Sequence, residues 1–80
     1  VNPHEADLLI RTTVHEVAPD ADLDSLRPDD DLRDALALDS LDFLQIVEVL
    51  SERTGRRIEE DDYPRLATLT DAVAYLSGST

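Results

Sequence analysis

Apolar residues recur at three- and four-residue steps in three stretches of this chain, with polar and acidic segments between them. From about Pro3 to Ala18, the residues Ala6, Leu9, Ile10, Val14 and Val17 fall on one face of a helix. Pro3 suits the first turn, where a missing N–H costs nothing, and Pro19 bars continuation. Residues 19–38 lose the pattern. Leu23, Leu26, Leu32 and Leu36 are their sizeable anchors before Leu38, and a connection this long usually carries function or some local structure. A second helix is predicted from Asp39, its N-cap, with Asp42 at a capping-box-like position. Leu44, Val47 and Leu50 lie on its inner face, widened by Phe43 and Ile46. Asp42, Gln45, Glu48 and Glu52 point to solvent, and Gly55 ends the helix. Ile58 to Tyr63 reads as a single helical turn, limited by Pro64. Thr68 then caps a last helix, with Asp71 three residues on. Leu69, Val73 and Leu76 make its buried stripe beside Ala72, and Gly78 ends it.

The sequence lacks a useful length of β alternation, so the expected fold is all-α. It is a small four-helix bundle, three longer helices plus one short helix, with a long loop between the first and second helices. Eighty residues make one domain, spanning 1–80.

Charge narrows the partners. The net charge is −12, from 19 acidic and 7 basic residues. Such a surface repels nucleic-acid phosphates and anionic lipid headgroups, and favours protein partners with basic patches. Disorder is the other outcome of strong acidity. The apolar fraction of 41%, set at regular spacings, argues against it. No apolar run approaches the ~20 residues of a membrane span, so membrane insertion is not expected. The N-terminal segment lacks a basic region followed by an apolar one, so no secretory signal is read there. The absence of cysteine removes disulfides, thiolate metal sites and a cysteine nucleophile, and fits a cytoplasmic protein.

The candidate chemistry centres on residues 36–50, LALDSLDFLQIVEVL. With Asp39 as N-cap, Ser40 takes the first helical position. Its hydroxyl is then exposed beside first-turn N–H groups that lack helical acceptors. A phosphodiester on that oxygen would sit at the positive end of the helix dipole. Ordinary capping chemistry is the competing role for a serine here, although Asp39 already fills it.

The segment Asp20-Ala21-Asp22-Leu23-Asp24 matches the first acidic positions of a calcium loop. Ser25 stands where glycine is needed, Asp31 where glutamate is needed, and Pro28 interrupts the loop, so no metal site is assigned. His4 and His15 are the histidines, both in the first predicted helix. Without a G-x-S-x-G elbow they do not make a hydrolase triad, so the chain is not read as an enzyme.

Asp39-Ser40-Leu41, followed by Asp42 and an apolar-periodic helix, resembles the phosphopantetheine attachment motif of acyl carrier proteins. The resemblance spans nearly the whole chain. Leu32 lies eight residues before the serine, where the family has an apolar loop anchor, and Leu36 and Leu38 flank Ala37, a position before the Asp-Ser pair. Ile58 with its acidic run, Leu66-Ala67-Thr68-Leu69, and Ala72-Val73-Ala74-Tyr75-Leu76 are similar to the family's third and last helices.

The resemblance implies a non-catalytic carrier with 4′-phosphopantetheine from coenzyme A attached to Ser40. A phosphopantetheinyl transferase would attach it, and acyl groups would ride as thioesters in fatty acid, polyketide or related lipid biosynthesis. It implies recognition by acyl-transferring enzymes with basic patches through Asp39, Leu41, Asp42, Gln45, Glu48 and Glu52. It also implies an acyl space between the family's second and third helices, for which Phe43, Leu44, Val47 and Leu66 are candidates. Plain core packing is the competing role for each of those four.

There are two departures. Ala37 replaces a common glycine, for which a small adjustment of the loop is expected. Gln45 replaces a common glutamate, weakening one contact with basic partners. A monomer is expected. The alternatives are an unmodified acidic helical module that binds a basic partner protein, and a peptidyl or aminoacyl carrier.

Overall fold

The structure is a computed structural model and describes residues 2–78. Four α-helices follow in order: α1 (Pro3–Val17), α2 (Leu32–Ala35), α3 (Ser40–Thr54) and α4 (Leu69–Leu76). Two 3-10 segments intervene, Leu23–Ser25 and Glu60–Leu66. No strand forms among the described residues. A single isolated bridge joins Asp31 and Thr68. The all-α bundle of three longer helices and a short one is thus present, with α2 as an added turn inside the long connection.

Helix α1 packs against both α3 and α4, and the Glu60–Leu66 segment packs against α4. Ala6, Ile10 and Val14 are buried on α1, as the periodicity predicts, while Leu9 and Val17 are half-buried. Thr13, a polar residue outside that predicted stripe, is fully buried. Its Oγ1 accepts from Arg53 Nη1 at 3.3 Å, and the same guanidinium pairs with Glu16 at 2.6 Å. The C-terminal ends of α1 and α3 are therefore tied by a polar contact on top of apolar packing. Asn2 caps α1 reciprocally with Glu5: each side chain accepts the other residue's backbone N–H, at 2.8 and 3.1 Å.

The structure corrects two expectations. Leu44 does not belong to the inner face of α3 and is 39% exposed. The buried set is Phe43, Ile46, Val47 and Leu50, at steps of three, four and seven; Leu44 sits one residue, about 100° of helix, off that stripe. Pro64 does not end the short helix but lies inside a 3-10 run that extends to Leu66. Lacking an N–H costs little in a segment so short of regular backbone bonds. Residues 19–38 carry the local structure expected of so long a connection, two short helical turns, and are held at several points. Leu26, Leu32, Leu36 and Leu38 are buried. The Leu32 N–H donates to the Ala67 carbonyl at 2.8 Å, and the Thr70 N–H and hydroxyl both donate to the Pro28 carbonyl at 2.9 Å. The connection is thereby fastened to the start of α4, whose Thr68 cap accepts from the Asp71 N–H at 3.0 Å.

Candidate functional site

The start of α3 is built from the loop inward. Asp31 caps α2 by accepting the Asp34 N–H at 3.1 Å. The chain then closes on itself, with the Leu36 N–H on the Leu32 carbonyl at 3.1 Å and the Leu38 N–H on the Arg33 carbonyl at 2.9 Å. This reversal puts Ala37 at φ +54°, the one non-glycine residue with positive φ among those described. A left-handed backbone costs an L-residue roughly 1–2 kcal/mol. Ala37 thus takes the conformation that glycine adopts without strain, and carries that cost. Burial of Leu36 and Leu38 on either side holds it there.

Asp39 follows as the N-cap of α3, its carboxylate accepting the Asp42 N–H at 2.8 Å. Ser40 is the first helical residue and is exposed. The Ser40 and Leu41 N–H groups have no acceptor within the helix, so the positive end of the helix faces the serine hydroxyl. One contact to that hydroxyl is absent from the sequence reading. Arg33 Nη2 donates to Ser40 Oγ at 3.2 Å. The same guanidinium lies over the Phe43 ring, 5.5 Å from its centroid. Tyr63 meets Phe43 edge-on, with centroids 5.6 Å apart and planes at 84°. A signal for Arg33 was available: it is the only basic residue between Arg27 and Arg53, in a stretch dense with carboxylates.

The other sequence candidates fall into two groups. Asp39, Leu41, Gln45, Glu48 and Glu52 are exposed, and Asp42 is half-buried. Leu41 is 72% exposed, an apolar side chain next to Ser40 with no place in the core. Phe43, Val47 and Leu66 are buried and line an internal apolar void of about 20 Å³. That is room for about one water. Phe43 also lines a separate cleft of about 240 Å³ with Asp31, Arg33, Tyr63, Pro64 and Ala67. Leu44 lines neither space.

Away from the serine, Tyr75 donates to Asp62 at 3.1 Å, and the Arg56 guanidinium lies 4.9 Å over its ring. Burial pushes the Tyr75 pKa above its ordinary value, and Asp62 adds to the rise while Arg56 opposes it. No group of His, Cys, Asp and Glu among the described residues could hold a metal ion, and no described helix is long and apolar enough to cross a membrane.

An exposed serine at a helix start, beside a guanidinium and an apolar cleft, suits a covalently attached anionic group with an apolar stem. Residues 9–76 match the phosphopantetheine attachment site family. The chain is 35% identical over 69 residues to an acyl carrier protein of Acidothermus cellulolyticus, covering 84% of this chain and 79% of that protein. It is 41% identical over 54 residues to an acyl carrier protein of Kineococcus radiotolerans, covering 68% of this chain and 67% of that protein. The chain belongs to the acyl carrier protein family. Members of this family are non-catalytic carriers whose cofactor is 4′-phosphopantetheine.

Proposed function

We propose that Ser40 Oγ is the attachment point for 4′-phosphopantetheine, and that residues 1–80 act as one cytoplasmic carrier domain for acyl groups in fatty acid, polyketide or related lipid biosynthesis. The observation that carries this reading is the position of Ser40: exposed, first in α3, not needed as a cap because Asp39 fills that role, and bonded to the Arg33 guanidinium. The arm supplies the thiol that a cysteine-free chain lacks. The chain's own residues present that arm.

Partners read the exposed face around it. Asp39, Asp42, Glu48 and Glu52 offer carboxylates to basic patches on a phosphopantetheinyl transferase and on acyl-transferring enzymes, and Leu41 offers an apolar contact. Gln45 interrupts the carboxylates. Exposed charge pairs are individually weak, about 0–1 kcal/mol, so each encounter is brief and salt-sensitive, as a shuttle between enzymes requires. Phe43 lines both the outer cleft and the inner void. An acyl chain that enters the core displaces that ring and spreads Val47 from Leu66.

The test is incubation of the purified protein with coenzyme A, magnesium and a broad-specificity phosphopantetheinyl transferase, followed by intact-mass measurement. The expected result is a gain of one phosphopantetheinyl group, placed on Ser40 by fragmentation. A folded, initially unmodified protein that gains nothing, while a known carrier loads in parallel, contradicts the reading and favours an unmodified acidic interaction module.

A further inference from the structure

We propose that Arg33 is a positioning residue for the root of the arm: its guanidinium takes the phosphodiester oxygens and lays the adjoining pantoyl segment over the Phe43–Tyr63 cleft. This rests on Ser40 being the attachment point.

The argument begins with what Arg33 does in the unmodified protein. Its guanidinium has two contacts, the 3.2 Å bond to Ser40 Oγ and the Phe43 ring face. Among the described residues it has no ion-pair partner, despite an acidic neighbourhood. Between residues 28 and 52 it is the one basic side chain, against Asp29, Asp30, Asp31, Asp34, Asp39, Asp42, Glu48 and Glu52. A further negative charge on Ser40 enters a repulsive field, and Arg33 is the nearby cation that offsets it.

Attachment also changes what the guanidinium can bind. Oγ becomes a bridging ester oxygen, a poor acceptor, while two non-bridging oxygens that share one negative charge appear on the phosphorus bonded to it. A planar guanidinium already in contact with Oγ needs only a small rotation to reach them. Its fork suits phosphate better than an ammonium does.

The placement of Arg33 is built rather than incidental. Its backbone carbonyl accepts the Leu38 N–H at 2.9 Å, and its neighbour Leu32 is buried and bonded to Ala67. Its guanidinium rests on Phe43, and Phe43 is fixed edge-on by Tyr63. The pantoyl unit next to the phosphate carries two geminal methyl groups. The cleft beside Arg33 has apolar walls from Phe43, Tyr63, Pro64 and Ala67, with Asp31 as its other polar lining residue, and its volume of about 240 Å³ admits such a segment.

The experiment uses isotope-labelled protein bearing an unlabelled arm, with attachment verified first by intact mass. Filtered NOE spectra are recorded from the pantoyl methyls to the Phe43 and Tyr63 rings, with the ³¹P signal of the phosphodiester, for wild type, Arg33→Lys and Arg33→Gln. The expected result is clear methyl-to-ring NOEs in wild type. In Arg33→Gln they fall roughly two- to fivefold, the range of an exposed charge-assisted contact, and the ³¹P signal moves. Arg33→Lys is intermediate. Arg33 is exposed, so amide spectra of the variants should retain native dispersion. An attached arm without ring NOEs in wild type, or NOE and ³¹P signals identical in Arg33→Gln and wild type, overturns the inference and leaves the Ser40 reading standing. Absence of any mass gain removes the Ser40 reading itself.

Discussion

The two ends of α3 are held in different ways. At the C-terminal end, Arg53 reaches across to Thr13 and Glu16 of α1, Leu50 is buried, and Gly55 closes the helix in the left-handed conformation that glycine adopts without strain. At the N-terminal end, alanine takes the left-handed position, the cap is local, and Ser40 and Leu41 face solvent. One end is closed by long-range packing. The other is capped by short-range bonds, rests on Tyr63 through Phe43, and presents its groups. A carrier needs this division: the bundle supplies stability, and the presented end stays open to many enzymes in turn.

Core and surface substitutions test the division most strongly. Ile10→Ala removes a fully buried side chain from α1 and should cost about 2–5 kcal/mol in urea unfolding. Leu41→Ala, at the presented end, should stay within about 0.5 kcal/mol of wild type. Comparable losses from the two would erase the contrast.

Function should show the reverse. Asp42→Asn combined with Glu48→Gln should slow acyl transfer to a basic-patched enzyme roughly three- to tenfold at low salt, with the difference shrinking as salt rises. Transfer rates equal to wild type at low salt would remove this face from recognition.

The strain at Ala37 gives a sharper probe of the presented end. Ala37→Gly relieves a left-handed alanine, although the added freedom of the unfolded chain offsets part of the gain. The net expectation is stabilisation of about 0.5–1 kcal/mol. A destabilised glycine variant in the same unfolding assay would mean that the turn carries no strain.

The smallest effect concerns Tyr75. Burial, with Asp62, raises its pKa, so folding favours the protonated phenol. The stability it contributes is complete below the ordinary phenol range near pH 10 and is lost as pH rises through the shifted value. Thermal melting should therefore fall more steeply above about pH 10 in wild type than in Tyr75→Phe. Parallel pH profiles would count against it.

How much of this was legible in the sequence follows from the same contrast. Periodicity found α1, α3 and α4, because each buries a stripe whose spacing the helix dictates, and caps at Asp39 and Thr68 announce themselves by residue type. Leu44 was misplaced because a leucine beside a stripe looks like a leucine in it. Thr13 was missed because the group that bonds its buried hydroxyl, Arg53, lies forty residues away. Arg33 was missed for a related reason: its contact with Ser40 requires the Ala37 reversal, which a sequence pattern favours glycine to make. The exposed first-turn position of Ser40 was legible from local helix chemistry, whereas the groups around it are assembled by tertiary structure.

The most direct test of the central claim is loading of Ser40→Ala beside wild type, with circular dichroism on both. The account predicts that wild type gains one phosphopantetheinyl group, that Ser40→Ala gains none, and that their helical spectra and melting curves coincide. Loading of the alanine variant to the wild-type extent would contradict it.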